Sequence, residues 1–234
     1  ASERKALWNI GVKDVHSFPP GNLAKMNRTG FTFESVSAIR QLPQRKIKLH
    51  EPAIHLEKLL AESIRERVLD AEKAGVAFSG GLDSSVIARL AQKCGVAVNL
   101  ISIGSEGQPE LAHAVEAAKA LSMPITVKTF KIVDVEKILS KVLWLLEEPD
   151  AMKASVAIPF FWAAQTASKL GCRVLLSGQG ADELFGGYHK YLAVYAKYGA
   201  EKVIEALYDD TVMSHETNFQ RDESVSAFHK IDLR

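Results

Sequence analysis

The chain has 234 residues, 47% hydrophobic and 24% charged, and Lys+Arg 29 against Asp+Glu 28 leaves a net charge of +1. This is the balance of an ordinary globular chain; it suits one large α/β domain, or a domain plus a fragment, and excludes disorder, collagen and coiled coil. No apolar run approaches the ~20 residues of a membrane helix, and no apolar stretch follows a basic start in the first thirty residues. The expectation is a soluble protein with no signal peptide and no membrane partner. Cys94 and Cys172 stand alone, outside any CxxC pattern, which suits a cytoplasmic location and core packing rather than zinc or a disulfide framework.

The near-zero charge conceals an asymmetry. Residues 1–50 carry nine Lys/Arg against three acids, a net +6, which leaves −5 for the remainder. These cations are scattered and not interleaved with aromatics, so they read as a solvated surface in preference to a nucleic-acid track. The same segment is rich in turn signals, Pro19-Pro20-Gly21 and Asn27-Arg28-Thr29-Gly30, around β-prone pieces such as Gly30 to Phe33. It is too short to bury a core of its own.

From Glu51 to Ala74, apolar Ile54, Leu56, Leu59, Leu60, Ile64, Val68 and Leu69 recur near the helical period and predict a long amphipathic helix that stops at Gly75. Val76-Ala77-Phe78 follows as a short buried strand. Helix 83–93, strand 96–103, helix 109–121, strand 125–130 and helix 133–147 come next. Pro149 interrupts the pattern before helix 157–170 and strand 173–176; residues 188–198, 200–208 and 218–229 then have helical spacing with no strand left to join. The expected fold is α/β: a doubly wound parallel sheet over about 75–180, with a C-terminal helical portion.

Directly after the strand at 76–78 lies Ser79-Gly80-Gly81-Leu82-Asp83-Ser84-Ser85, which opens a helix. Such a junction exposes unpaired backbone N–H groups and the positive end of a helix dipole, and two glycines let the backbone approach phosphate oxygens. No lysine occupies the loop, so it is not the common GxxxxGK[ST] phosphate loop. Asp83 would repel polyphosphate unless Mg2+ lay between them; the alternative is a tight turn with Asp83 or Ser84 capping the helix. A second loop, Ser177-Gly178-Gln179-Gly180-Ala181-Asp182-Glu183, repeats the logic after Val174-Leu175-Leu176. The two can face each other across a switch point around one nucleotide, with Asp182 as a second Mg2+ ligand or a plain helix cap.

SGGLDSS resembles the pyrophosphate loop of the N-type ATP pyrophosphatases (PP-loop, adenine nucleotide alpha hydrolase-like), and SGQGADELFGGYHKY resembles the second signature of the glutamine-hydrolysing asparagine synthetases. The likeness extends through Glu148-Pro149-Asp150, Ala157-Ile158-Pro159 and residues 218–223. The resemblance implies an ATP- and Mg2+-dependent, AMP-forming ligase of amino-acid biosynthesis that joins aspartate and ammonia through a β-aspartyl-adenylate. It implies that Ser79, Gly80, Gly81, Asp83, Ser84 and Ser85 hold pyrophosphate, that Phe78, Ile103, Ser177 and Gly178 hold adenosine, and that Asp83 and Asp182 bind the metal.

By the same resemblance residues 1–50 are similar to the end of a glutaminase domain, with Ser2 to Leu7 and Phe18 to Gly21 on its closing strands, and residues 51–234 to the synthetase domain. The expectation is that this chain does not hydrolyse glutamine by itself and takes ammonia free or from a separate glutaminase subunit; a homodimer is compatible with the sequence. Gln179 stands where the family's pattern has a Glu implicated in forming the adenylate. The family's pattern also continues past Arg234. β-Lactam-type ring closure, amidation of another acid and a non-catalytic nucleotide-binding subunit therefore stay as alternatives.

Other conspicuous residues read as structure. His50, His55, His113, His189, His215 and His229 lack ligand spacing, and Trp8, Trp144, Trp162 and Phe160-Phe161 suit packing. Tyr188, Tyr191, Tyr195 and Tyr198 lie at helical spacing, as a packing seam, though Tyr188 adjoins the second loop closely enough to touch substrate. Arg221 is a candidate for a carboxylate or phosphate, or for a surface ion pair.

Overall fold

Turn chemistry organises the basic N-terminal segment. In the computed structural model, which describes residues 3–16, 18, 21–36, 50–147 and 149–216 (the last seven by backbone alone), Arg4–Trp8 forms helix α1, and β1 (Asn22–Asn27) pairs antiparallel with β2 (Gly30–Ser35). The Asn27 side chain closes the hairpin by accepting from the Thr29 amide at 2.9 Å and its hydroxyl at 2.6 Å, as the Asn-Arg-Thr-Gly signal predicts. Arg4–Trp8 is helical, not a strand: Arg, Lys, Ala and Leu are strong helix formers, and no strand pairs with them among the described residues.

Helix α2 (His50–Val68) then leads into β3 (Lys73–Ala77), α3 (Leu82–Lys93), β4 (Ala97–Ser105), α4 (Pro109–Leu121), β5 (Ile125–Phe130), α5 (Ile132–Leu146), α6 (Ala151–Lys169) and β6 (Val174–Leu176). The four strands form one parallel sheet in the order β5-β4-β3-β6. On one face Ala74, Val76, Phe78, Val98 and Leu100 pack with Ile64 and Val68 of α2, Ala88 and Leu90 of α3, and Ala114 and Ala118 of α4. On the other, Ile101, Ile103 and Leu175 meet α6 through Phe161, Trp162, Ala163 and Ala167, and Val142 of α5 joins them. The sheet is doubly wound, as its alternation predicts.

Over residues 50–180 two boundaries differ most from the sequence expectation, and beyond them the helix expected at 200–208 runs on to Glu216. Helix α2 ends at Val68 rather than Ala74, because residues 73–77 pair with β4 and residues 74–76 with β6; Gly75 lies inside β3. A Cβ there would stand 3.1 Å from Ala167 Cβ and 3.1 Å from Ile101 Cδ1, so glycine lets α6 settle on the strand. Helix α6 begins six residues early, at Ala151: the Asp150 carboxylate accepts the Lys153 amide at 2.7 Å and caps it, and Pro159 is carried inside the helix. The small residues Ala154, Ala157, Ala163, Ala164 and Ala167 are all buried along it.

The described residues group into two compact units, one over 50–180, the other from the segments before 37 and after 180. In the second unit α7 (Ala181–Phe185), α8 (His189–Tyr198) and α9 (Ala200–Glu216) form the helical C-terminal portion, with Gly199 at φ +83 between α8 and α9. Of the expected tyrosine seam only Tyr191 is buried. Cys172 is buried and Cys94 half-buried, consistent with core packing, and so is Trp162, whereas Trp144 is 50% exposed. Glu148, Arg221, His229 and the helix expected at 218–229 lie outside the described residues. No helix among the described residues is long and apolar enough to cross a membrane.

Candidate functional site

Strands β3, β4 and β5 step outward in one direction and β6 returns to the opposite side of β3, so the switch point of the sheet falls between β3 and β6. The loops that follow these two strands both open there, at the carboxyl edge where such sheets hold ligands. The first is built by its own serines. The Ser84 hydroxyl, buried at 6% exposure, donates to the Gly81 carbonyl at 3.2 Å and accepts the Ser79 amide at 3.4 Å, while Ser79 Oγ accepts the Gly81 amide at 3.2 Å.

Gly80 has φ +80, and a Cβ on it would meet His113 Cδ2 at 2.9 Å and Ala114 Cα at 3.0 Å. Only glycine accepts both that φ and the pressure from α4. Gly81 precedes α3 with no side chain of its own to cap it, which leaves the helix N-terminus and its dipole facing the loop. Asp83, half-buried in the first turn, has no hydrogen-bond or ion-pair partner among the described residues.

The second loop presses on the first. A Cβ at Gly178 would lie 2.8 Å from Asp83 Cβ and 3.0 Å from the Ser84 nitrogen, so backbone meets backbone where the sequence analysis expects the loops to face each other. Ser177 Oγ accepts the Gln179 amide at 3.2 Å, the Gln179 side chain is exposed, and Gly180 turns the chain at φ +94. Phe78 is 4% exposed with its ring in the core beneath the loop, and its amide bonds Ile101 O at 2.8 Å, so it offers the site main chain rather than ring. Ile103 is half-buried on the opposite face of the sheet.

Residues 78–85, Ile103 and 177–179 thus share one unit, at the carboxyl-edge half of one sheet. Asp182 belongs to the other unit. There, in the first turn of α7, its carboxylate lies so close to Gly187 that a Cβ on that glycine would collide with it. Next to it Tyr188 donates to Glu183 at 2.5 Å, and burial, then the charge of Asp182, push the Tyr188 phenol above its ordinary value. No group of three or more His, Cys, Asp or Glu that could hold a metal occurs among the described residues. His113, which spacing alone assigns to a helix surface, is the residue that sequence reasoning missed: its Nε2 lies 3.2 Å from the Gly80 carbonyl. No local signal betrays it, because the contact depends on how α4 packs beside α3.

A glycine-serine loop at the switch point of a doubly wound parallel sheet, opening a helix without a phosphate-loop lysine, defines an α/β protein of the PP-loop type. The asparagine synthase family model matches residues 55–230, and the chain belongs to that family. A Methanocaldococcus jannaschii protein provisionally described as a glutamine-hydrolysing asparagine synthetase is 32% identical over all of this chain and 46% of its own length. The glutamine-hydrolysing asparagine synthetases of Asparagus officinalis and Arabidopsis thaliana are each 28% identical over 80% of this chain and 33% of theirs. The chain therefore spans about half or less of the length of these relatives. A solved Methanocaldococcus jannaschii structure described as a tRNA methyltransferase subunit has 22% identity and a TM-score of 0.36, covering 58% of this chain and 74% of its own.

Proposed function

We propose that the chain forms an amide from a carboxylic acid and ammonia at the expense of ATP, with aspartate as the acid, and that residues 51–234 are its synthetase domain and residues 1–50 the end of a glutaminase domain. The observation that carries the reading is the contact between the two loops at the switch point, Gly178 against Asp83, in a chain of the asparagine synthase family.

In this reading the β-carboxylate oxygen bonds to the α-phosphorus of ATP as the bond to pyrophosphate breaks. Ammonia then attacks the acyl carbon, its nitrogen loses a proton, and AMP leaves with the bonding electrons. Such chemistry asks for position and charge neutralisation more than for acid–base groups. The Gly80 amide and the N-terminus of α3 receive the pyrophosphate portion, with the Ser79 and Ser85 hydroxyls beside them. Ser84 keeps the loop in shape through its bonds to Ser79 and Gly81. Main chain at Phe78, Ser177 and Gly178, with Ile103, receives the nucleoside.

The donor set fits Mg2+: Asp83 is a carboxylate without a competing partner beside a loop of N–H donors, and hard cations take oxygen ligands. Asp83 would hold it, and it would neutralise the charge that collects on the leaving pyrophosphate. Gln179 offers a neutral amide where a base would carry charge, which favours a modest rate. Ammonia arrives free or from a separate glutaminase.

The test is the product pair. With ATP, Mg2+, aspartate and ammonium, AMP, pyrophosphate and asparagine are expected in equal amounts. ADP with phosphate, or no turnover with any carboxylate offered, would count against the proposal; pyrophosphate exchange dependent on another acid would replace aspartate and keep the class.

A further inference from the structure

Gly80 and Gly81 are the least restrained pair of residues in the first loop by sequence, since neither side chain resists rotation of the peptide between them. The structure restrains that peptide from both ends. Its carbonyl, on Gly80, faces His113 Nε2 at 3.2 Å, and its N–H, on Gly81, donates to Ser79 Oγ at 3.2 Å. In a trans peptide the carbonyl and N–H point in opposite directions, so a group that fixes one also aims the other. A carbonyl only accepts, hence Nε2 of His113 carries the proton and donates.

We propose that His113, reaching across from α4, is a positioning residue that pins the Gly80–Gly81 peptide and so keeps the Gly80 carbonyl turned toward α4, away from the anion side of the loop. Without it only the Ser79 bond opposes a flip that presents the carbonyl oxygen to the phosphates. The packing supports the same role: the imidazole edge and Ala114 lie so close over Gly80 that no larger residue fits there. His113 itself is exposed, on the helix surface that borders the loop, so its ring is held for the contact rather than for the core. The inference rests on the nucleotide reading of the loop and adds to it a residue that recognises no ligand directly.

Three variants of the whole chain separate the hydrogen bond from the packing. His113→Phe keeps a ring against Gly80 but donates nothing; His113→Gln keeps a donor within reach; His113→Ala removes both. Affinities for ATP and for AMP are read by calorimetry in the presence of Mg2+, with melting temperature alongside. The expected result is a fivefold to tenfold weakening of ATP in His113→Phe and His113→Ala, roughly the value of one hydrogen bond, with substantial recovery in His113→Gln. AMP affinity should stay at the wild-type value, because AMP lacks the pyrophosphate portion, and melting temperature should fall by no more than the ~2–4 °C that one hydrogen bond is worth.

ATP affinity unchanged in His113→Phe, or equal losses for ATP and AMP, would overturn the positioning role. His113→Gln as weak as His113→Phe would do the same. Wild-type protein that binds no ATP would overturn the nucleotide reading itself, and that failure is distinct because it precedes any variant.

Discussion

Gly178→Ala perturbs the candidate site without touching a charged or hydroxyl group. The added methyl would stand 2.8 Å from Asp83 Cβ, 3.0 Å from the Asp83 carbonyl carbon and 3.0 Å from the Ser84 nitrogen, against 3.4–4 Å for ordinary contact. Two of those three atoms are backbone and cannot swing aside, so one loop must retreat by about half an ångström. Overpacking of this kind costs ~1–3 kcal/mol. If the fold absorbs the strain, melting falls by ~2–4 °C per kcal/mol; if the loops part instead, ATP affinity falls ~5- to 150-fold.

Calorimetric titration with ATP and thermal melting of the same preparation account for both routes. Gly81→Ala is the comparison for melting, since its Cβ meets only Ser79 Oγ at 3.3 Å and its φ of −71 suits any residue; it should stay within ~0.5 kcal/mol of wild type. Gly178→Ala with wild-type melting and wild-type ATP affinity would refute the contact between the loops as a determinant of the site.

Three further outcomes are expected. Asp83→Asn removes the unpartnered carboxylate, and AMP formation should fall ~100-fold or more, the scale of losing one preorganised electrostatic contact; steady-state assays at saturating Mg2+ check it, and an undiminished rate would remove Asp83 from the metal. Gln179→Glu returns a charge to the second loop and should raise the rate of adenylate formation at least ~10-fold if a base is what the wild-type loop lacks, read by pyrophosphate exchange. Asp134 accepts the Lys131 amide and then Lys137, which hold its carboxyl below the ordinary 3.8. A depressed folded value means stability that is present above the unfolded value and lost as pH falls through the folded one. Asp134→Asn should therefore lower the melting temperature at neutral pH, with the difference from wild type shrinking below about pH 4; a difference that persists into strong acid would refute this.

The α/β alternation was legible because helical spacing and short apolar strands are local signals, as was the hairpin turn at Asn27–Gly30. Where the reading slipped, a tertiary contact decided. Residues 69–74 continue the apolar pattern of α2, yet β3 claims the stretch from Lys73 because it pairs on both sides. Gly75 reads as a helix stop until Ala167 of α6 is placed over it. The first turns of α6 hide between Pro149 and Pro159, and only the Asp150 cap reveals them. In the candidate site, the glycines, serines and Asp83 announce themselves, since a glycine-serine loop that opens a helix is a local signal. His113 does not, because its partner is 33 residues away in sequence.

The serines and glycines of the site divide their work in a way that composition alone would not suggest. Ser84 looks like a further hydroxyl for phosphate, but its oxygen is committed inside the loop, and it is as buried as the core around it. Gly80 and Gly178, which look like mere flexibility, are the two places where the loop is tightest, each held against an element that follows from elsewhere in the chain. A loop so braced before any ligand arrives spends little reorganisation when an anion is bound, the condition under which fixed N–H dipoles are most effective. Glycine in this site therefore serves close approach, and rigidity follows from it.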